Sequence, residues 1–404
     1  MALVLNEEQQ MLKESARGFL QEHAPLAQLR RLRDERDAIG YSAESWAQMV
    51  ELGWAGILVP EAYGGLDFGH VGMGQIMEEN GRTLTASPLF ATAILGVSAL
   101  VLGGSDEQKK TLLPAIVEGS LTLALAVDEG PKHKPAQVTM TASKGGAESN
   151  NLKLNGAKQF VADGHVADKL IVSARTSMRS SAHSSTHSSA APDDNDGISV
   201  FLVDRDAEGV TVERVMMADS RNSAMVTFDN VVVPQGAMLG QAGKGLALIE
   251  GLTDIGNAHL AAELLGISLE VFERTVQYMQ ERKQFGVLIG SYQGLQHRAA
   301  HLFSEIELTK SVVIKALQAL DEKLLDKKTL DENSDAASLL CSMAKAKASE
   351  VAALATNESV QLHGGIGMTD EYDMGFYMKR ARVAEHMLGD QRFHQRRFAA
   401  LSGY

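Results

Sequence analysis

The spacing of the apolar residues changes twice along this chain, and that change limits the folds it can adopt. Up to about Ser120, apolar residues recur every three to four positions, as on one face of an α-helix. Between about Leu121 and Gly236 they fall in short β-rich runs separated by Gly, Asn and Asp. After Gly236 the helical spacing returns. We therefore predict an α+β chain with a helical domain at 1–120, a small antiparallel β domain at 121–236 and a helical domain at 237–404.

Capping residues and chain breaks locate individual helices. Asn6 with Gln9, and Ser105 with Asp106, stand ahead of apolar helical faces, as helix caps do. In the last domain the helical spacing is interrupted at "FGVLIG" (285–290) and by the charged stretch "DEKLLDKKTLDENSD" (321–335), after which another long helix is expected from Ala336 to about Leu362. Long helices joined in this way predict a C-terminal four-helix bundle.

Composition narrows the class of protein. A chain of 404 residues with 45% hydrophobic residues can bury a large core. The formal net charge of −13 argues against nucleic acid or an anionic membrane surface as a partner, because both are bound through clustered Lys and Arg. Cys341 is the only cysteine, so no disulfide forms within the chain.

The sequence shows no targeting or membrane-spanning segment. Its first residues lack the basic and apolar regions of a signal peptide. The longest apolar run, starting at Phe90, is shorter than the roughly 20 residues that cross a bilayer. We predict a soluble, cytoplasmic protein that does not enter the membrane.

A polar stretch interrupts the predicted β domain at residues 176–197. It is poor in apolar residues, which favours a surface loop between strands. His183 and His187 lie in it, but no Cys or carboxylate completes a metal-binding pattern. No metal site is predicted.

Five segments, in order along the chain, resemble those of the acyl-CoA dehydrogenase family. They are "GWAGILVPEAYGG" (53–65), "LNGAKQFVADGHVADKLIVSAR" (154–175), "FDNVVVP" (228–234), "ERKQFGVLIGSYQGLQH" (281–297) and "QLHGGIG" (361–367). The resemblance covers nearly the whole length. It implies an oxidoreductase that binds FAD and an acyl-CoA substrate and removes hydrogen from the α and β carbons.

Two of these segments carry residues suited to the dinucleotide end of FAD. A guanidinium binds phosphate oxygens as a bidentate donor, and glycines let the backbone approach a ligand closely. A solvated Arg at a helix end and a Gly-rich helix terminus are the alternatives. The resemblance favours FAD contacts by Arg282, Phe285, Gln293, Gln361, Gly364 and Gly365.

The residues that would face the flavin ring depart from the family pattern. Members of the family carry Thr-Glu-Pro where this chain has Asp128, Glu129 and Gly130. They carry Trp-Ile-Thr or Trp-Ile-Ser where it has "FVA". Phe160 can still cover a ring, whereas Ala162 has no hydroxyl to donate.

The catalytic base is also displaced. Removal of the α proton calls for a carboxylate whose pKa is raised by burial. The resemblance puts this Glu near the C-terminus or in the first bundle helix, and the corresponding residues here are Gly389 and Gly256. Asp390 and Asp254 are the nearest carboxylates and are the predicted catalytic residues. The alternatives are a helix N-cap for Asp390 and a helix-surface or capping role for Asp254.

The resemblance also implies partners. Members of the family form tetramers in which one subunit's C-terminal motifs bind the dinucleotide end of a flavin held in its neighbour. The altered ring-facing residues are similar to those of small subunits of heteromeric acyl-CoA dehydrogenases, which act on dicarboxylyl-CoA or steroid-CoA thioesters. A complete homotetrameric enzyme and a non-catalytic structural subunit remain alternatives. An electron-transferring flavoprotein is the electron acceptor that the family implies.

Overall fold

The computed structural model describes residues 3–145, 151–176, 197–325 and 334–404. The polar stretch with His183 and His187 lies outside these ranges, as does most of the charged connection that follows Leu325. Within the described ranges, no helix combines the length and the apolar character needed to cross a membrane, and no three His, Cys, Asp or Glu side chains are grouped to hold a metal ion.

The N-terminal part of the chain is helical. Both predicted caps are confirmed: Asn6 forms a reciprocal capping box with Gln9, and Ser105 forms one with Gln108. A π-helical stretch, Leu89–Gly96, leads directly into the fifth helix. The helices are α1 (Glu7–His23), α2 (Leu26–Asp34), α3 (Ala43–Glu51), α4 (Gly69–Thr83), α5 (Val97–Gly103) and α6 (Asp106–Val117).

A sheet follows, in the strand order β6-β7-β3-β2-β4-β5-β8 with β1 beside β4. Most neighbours are antiparallel, as predicted, but β1 runs parallel to β4, so the sheet is not antiparallel throughout. The α-helical segment before β1 allows this pairing, because β1 enters the sheet from another domain rather than through a hairpin. The strands are β1 (Leu123–Ala126), β2 (Thr141–Lys144), β3 (Leu152–Ala162), β4 (Lys169–Arg175), β5 (Ile198–Asp204), β6 (Val210–Met216), β7 (Asn222–Val233) and β8 (Met238–Leu239).

The C-terminal part is a helical bundle built on three long helices, with two shorter helices packed against the third of them. The break predicted at 285–290 begins earlier, after Glu281, and contains a short hairpin between the first two long helices. The elements are α7 (Gly245–Glu281), β9 (Lys283–Gln284), β10 (Val287–Leu288), α8 (Gln293–Leu325), α9 (Ser334–His363), α10 (Met374–His386) and α11 (Gln391–Leu401).

Two hydrophobic cores tie these parts together. One joins the N-terminal helices to the bundle, where α4 packs against α7. The other fills the space between the sheet, α5 and α6. The two cores meet near residues 90–95, at the end of β1 and at the turn between α10 and α11. Several buried polar side chains lie close to this junction.

Candidate functional site

A cavity of about 340 Å³ lies where the three parts of the chain meet, and we call it the central cavity. Phe90 and Leu95 line it from the N-terminal helices, Leu125 and Val127 from β1 and its end, and Leu388 from the α10–α11 turn. These side chains give it an apolar interior. Polar groups reach it from the segment that follows β1 and from the end of α10, so it is suited to an apolar ligand that carries a reactive polar group.

Glu129 fixes the segment that follows β1. Its carboxylate accepts hydrogen bonds from the backbone N–H groups of Thr139 (2.8 Å) and Met140 (3.1 Å) and from Lys158 Nζ (2.8 Å). The Lys158 side chain is fully buried and also donates to Ser173 Oγ. Burial alone would raise the pKa of Glu129, but the adjacent Lys158 charge outweighs it and the pKa is lowered. Glu129 is therefore an ionised anchor rather than a proton acceptor.

The anchored segment carries a histidine–aspartate pair. His133 Nδ1 lies 2.9 Å from Asp128 Oδ1 and 3.1 Å from Oδ2, and Lys134 N–H donates to the same carboxylate at 3.3 Å. Both residues line the central cavity. The Phe393 ring packs against the imidazole in an edge-to-face arrangement, with ring centroids 5.3 Å apart. Sequence reasoning missed His133, since the only local signal is a His five residues after an Asp in a loop.

Asp390 is the N-cap of α11. Its carboxylate accepts the Phe393 N–H at 2.7 Å, which is the role that the sequence analysis left open as the alternative. It does not line the central cavity. It borders a neighbouring cavity of about 530 Å³, which His133 also borders.

Asp254 lies inside the bundle on α7 and is 1% exposed. It pairs with Arg397 and accepts a hydrogen bond from Ser338 Oγ. None of the cavities described here is lined by Asp254. The carboxylate is thus committed to holding α11 and α9 against α7.

Neither glycine at the family's acid positions lines the central cavity, but Leu388, which precedes Gly389 and packs over Gly256, does. A Cβ on Gly389 would lie 2.5 Å from Phe393 Cδ1, and its φ of +107° disfavours any side chain. A Cβ on Gly256 would lie 2.4 Å from Leu388 Cδ1 and 3.0 Å from Leu95 Cδ2. The space that an acidic side chain would need is already filled, by apolar side chains at Gly256 and by Phe393 and His394 at Gly389.

Phe160 and Ala162 are at the end of β3 and line the central cavity together. Phe160 has a φ of +54° and its side chain is 48% exposed, next to an irregularity in the pairing of β3 with β7. A large apolar side chain held exposed in a left-handed backbone conformation is unusual, and it points to a group that stacks on the ring.

A second cavity, of about 600 Å³, lies at the far end of α7 beside the β9–β10 hairpin, and we call it the hairpin cavity. It is lined by Arg282, Phe285, Gln361, Gly364 and Gly365, five of the six residues predicted to bind the dinucleotide. The sixth, Gln293, begins α8 immediately before Gly294, which also lines this cavity.

The glycines that line the hairpin cavity leave open space beside the backbone. A Cβ placed on Gly365 or Gly294 would meet no atom within 4 Å, so the packing of the chain itself does not require glycine at these two positions, whereas Gly364 has a φ of +63° that favours glycine. Phe285 is 93% exposed. Open backbone beside an exposed guanidinium at Arg282 suits a phosphate-containing cofactor.

A buried ionic cluster locks α10 to the β domain and to α7. Arg380 donates to both carboxylate oxygens of Glu263 (2.8 and 2.7 Å) and to Asp219 (2.9 Å), and all three residues are at most 3% exposed. Burial opposes the ionisation of Glu263, but Arg380 and then Arg221 outweigh it, lowering its pKa to about 2. Arg380 is thus a buried structural charge, unlike Arg382 two residues along the same helix, whose side chain is 62% exposed.

Lys345 of α9 fixes the turn between α10 and α11. Its buried Nζ donates to the carbonyl oxygens of Glu385 (3.1 Å), Met387 (2.7 Å) and Gly389 (3.0 Å). Burial lowers the pKa of Lys345 to about 7. Lys345 is therefore one of the side chains that hold the turn carrying Leu388, together with Asn257, whose Nδ2 donates to the Leu388 carbonyl oxygen at 3.1 Å.

The domain order and the two cavities agree with the family that comparison of the whole chain identifies. Three models of one family match consecutive parts of the chain: the acyl-CoA dehydrogenase N-terminal domain (residues 6–120), middle domain (128–231) and C-terminal domain (243–400). The chain belongs to the acyl-CoA dehydrogenase family, whose members use FAD. The fold class, the enzyme class and the cofactor predicted from the sequence are thereby confirmed.

Individual relatives are distant but cover the chain. The mitochondrial isovaleryl-CoA dehydrogenase of Pongo abelii is 29% identical over 388 residues, which is 94% of this chain and 85% of the relative. The structure of butyryl-CoA dehydrogenase from Megasphaera elsdenii is 25% identical, with a TM-score of 0.85 over all of both chains. A variant of the Tcur3481-Tcur3483 steroid ACAD is 27% identical, with a TM-score of 0.82 over 98% of each chain.

Proposed function

We propose that the chain catalyses the α,β-dehydrogenation of an acyl-CoA thioester in the central cavity, with FAD as the hydride acceptor. The observation that carries this proposal is the composition of that cavity. Apolar side chains from the N-terminal helices and the α10–α11 turn surround space for an acyl chain, while Phe160 and Ala162 present a face for a flavin ring.

FAD would be held between the central cavity of one chain and the hairpin cavity of another. Phe160 would cover the ring, while Arg282 and the open backbone at Gly364 and Gly365 would bind phosphate oxygens. Phe285 and the amides of Gln293 and Gln361 would hold the remaining dinucleotide part. When bound, FAD supplies a two-electron acceptor for the hydride that leaves the β carbon.

The two cavities of one chain lie too far apart to share one FAD. Leu388, which lines the central cavity, packs against Gly256 of α7, and Tyr278 of α7 lines the hairpin cavity. At about 1.5 Å per helical residue, these positions are roughly 33 Å apart along α7, which exceeds the reach of a single FAD molecule. The hairpin cavity would therefore serve the flavin of a second chain, as the exposure of Phe285 also suggests.

The second chain that best fits this arrangement is an unlike member of the same family, in a heteromeric enzyme for a bulky or dicarboxylic acyl-CoA. The altered ring-facing residues Asp128, Gly130 and Ala162 support this proposal. A second copy of this chain is the alternative, which would make a homotetramer, and a non-catalytic structural subunit is another. Electrons would leave to an electron-transferring flavoprotein.

The test is flavin stoichiometry and flavin reduction. The chain is purified alone and after co-expression with an adjacently encoded relative, and each form is titrated anaerobically with butyryl-, glutaryl- and steroid-side-chain CoA thioesters. We expect substoichiometric FAD for the chain alone, and full occupancy with bleaching of the flavin for the assembled form. One FAD per chain with turnover of the lone chain would refute the heteromer. Failure of every acyl-CoA to bleach the flavin in either form would refute the dehydrogenase itself.

Asp390 and Asp254 remain the carboxylates predicted as bases, and their geometry weakens that role. The capping bond of Asp390 and the ion pair of Asp254 with Arg397 hold both outside the central cavity. If Asp390 is the base, Asp390→Asn should abolish flavin reduction in folded protein that retains FAD. If Asp254 is the base, Asp254→Asn should do the same.

A further inference from the structure

The central cavity has one open end and one closed end. Lys132, Arg382 and His386 line it and are exposed, so the cavity opens to solvent on their side. Phe90 and Leu95 also line it and are 8% and 3% exposed, so the cavity ends at them inside the chain. The phosphates of CoA are charged and costly to bury, so the nucleotide stays at the open end while the acyl group extends towards the closed end.

Three apolar side chains meet over α7 at the closed end. A Cβ built on Gly256 would lie 2.4 Å from Leu388 Cδ1, 3.0 Å from Leu95 Cδ2 and 3.6 Å from Phe90 Cζ. All three side chains line the central cavity, whereas none of the described residues of α4 or α7 does. Phe90, Leu95 and Leu388 therefore separate the cavity from α7, and we call them the end wall.

The contacts of the α10–α11 turn keep Leu388 in the end wall. Leu388 has a φ of +52°, which is unusual for a bulky residue. Asn257 Nδ2 donates to its carbonyl oxygen at 3.1 Å, and Lys345 Nζ donates to the carbonyl oxygens of the residues before and after it. A backbone in such a conformation persists only where its surroundings enforce it. The position of Leu388 over Gly256 is thus fixed from α7 and from α9.

The two helices beyond the end wall pack closely. His259, one turn after Gly256 on α7, has its Nε2 atom 3.1 Å from Nδ1 of His70 on α4, and both residues are at most 3% exposed. Further along, a Cβ on Gly266 would lie 1.8 Å from the Glu78 carbonyl oxygen, so the helices meet backbone to backbone. An acyl chain has no path between α4 and α7.

The neighbouring cavities offer no apolar extension either. The cavity of about 530 Å³ is bordered by several cationic side chains, including Arg396 and Arg397. A third cavity, of only about 70 Å³, is lined by Asp163, Asp219 and Arg221. An apolar tail that entered either space would displace water from charged groups without replacing their hydrogen bonds, which costs free energy. The apolar space for an acyl group therefore ends at the end wall.

We infer that the central cavity accepts a short acyl group, straight or branched, and that Leu388 is the specificity-determining residue that limits its length. The inference rests on the proposed acyl-CoA dehydrogenation and narrows its substrate. A long straight chain would have to displace the end wall, and a fused-ring acyl group would have to occupy the cavity of an unlike partner. Leu388 comes closest to Gly256, so its truncation opens the closed end most.

The test is a chain-length profile of the reaction. The assembled, FAD-containing enzyme is assayed with butyryl-, isovaleryl-, hexanoyl-, octanoyl- and palmitoyl-CoA, and kcat/KM is measured for each with an artificial electron acceptor. Wild type is compared with Leu388→Ala and with Leu248→Ala as the matched control. Leu248 is also half-buried and packs over a glycine, Gly103, but does not line the central cavity. Flavin absorbance and thermal unfolding check loading and folding.

We expect the wild type to prefer butyryl- and isovaleryl-CoA, with kcat/KM for octanoyl- and palmitoyl-CoA lower by about 10-fold or more. Leu388→Ala should raise the kcat/KM ratio of hexanoyl- to butyryl-CoA about 10-fold, since each additional buried methylene contributes a factor of about 4. Leu248→Ala should leave that ratio unchanged. If Leu388→Ala does not fold, Leu95→Ala opens the same end from the N-terminal helices and should shift the ratio in the same direction.

Two results would overturn the inference alone. One is a wild type that oxidises palmitoyl-CoA as efficiently as butyryl-CoA. The other is an unchanged hexanoyl-to-butyryl ratio in folded Leu388→Ala, or in folded Leu95→Ala where that variant takes its place. If no acyl-CoA of any length bleaches the flavin of the wild type, the proposed function fails first and the length limit falls with it.

Discussion

Replacing Arg380 with Met should remove the charge that joins α10 to the β domain and to α7. Arg380 is 3% exposed and contacts the carboxylates of Glu263 and Asp219, which are 0% and 1% exposed. Removing one member of a buried ion pair costs about 3–5 kcal/mol, because the remaining charges stay buried without compensation. Arg221, 3.1 Å from Glu263, keeps part of that compensation, so we expect a loss nearer about 3 kcal/mol.

The lowered pKa of Glu263 reflects the attraction of Arg380 and Arg221 together. It is lowered to about 2 from an ordinary value of 4.5. A difference of roughly 2.5 pKa units corresponds to about 3 kcal/mol at about 1.4 kcal/mol per unit. Because the folded-state pKa is the lower one, this stability is complete above about pH 4.5 and is lost as the pH falls towards 2. Arg380→Met should therefore also flatten the dependence of stability on pH over that range.

Urea denaturation at pH 7 and at several pH values down to 3 measures both effects. Arg382→Met is the matched control two residues along α10, because the Arg382 side chain is 62% exposed and its pair with Glu385 should be worth less than about 1 kcal/mol. Adding Glu263→Gln to Arg380→Met should recover part of the lost stability. A loss below about 1 kcal/mol for Arg380→Met, or an unchanged acid dependence, would refute the reasoning.

The turn between α10 and α11 and the hairpin cavity give further predictions. Gly389→Ala should destabilise by about 2–4 kcal/mol in urea unfolding, because its φ is +107° and its Cβ would collide with Phe393; a change below about 0.5 kcal/mol would contradict this. Asp390→Ala should cost about 1 kcal/mol through loss of the cap, whereas Asp390→Asn should be nearly neutral by thermal unfolding. Lys345→Met leaves three buried carbonyls without a donor and should cost about 3 kcal/mol, with a raised KM for acyl-CoA. Phe285→Ala should leave unfolding unchanged because the ring is exposed, yet lower FAD retention in the assembled enzyme; equal retention would remove Phe285 from the site.

The features predicted most accurately from the sequence are those set by neighbouring residues along the chain. The capping boxes at Asn6 and Ser105 join residues three apart, and the helix break after Arg282 follows from its local sequence. The cofactor residues could be named because the resemblance concerns contiguous motifs. The structure brings those motifs together in the hairpin cavity, where Arg282 from the end of α7 faces Gly364 from the end of α9.

Contacts between residues far apart along the chain could not be predicted from the sequence. Nothing near Arg380 identifies Glu263 and Asp219 as its partners, since they lie more than 100 positions away on other elements. The parallel pairing of β1 with β4 also depends on a long connection and leaves no local pattern. Whether a side chain at position 389 has room depends on where the Phe393 ring lies, and only the tertiary structure shows this.

The stretch from Gly389 to His394 illustrates which properties follow from the local sequence and which depend on tertiary contacts. The sequence by itself determined that a helix follows Asp390 and that the family's acid is absent, because capping and motif position are properties of neighbouring residues. Only the tertiary structure decided that Asp390 is occupied as a cap outside the central cavity and that Asp128 and His133, more than 250 residues earlier, stand in that cavity. Contact with a substrate requires atoms to meet in space, and folding brings them together from parts of the chain that carry no local sign of each other.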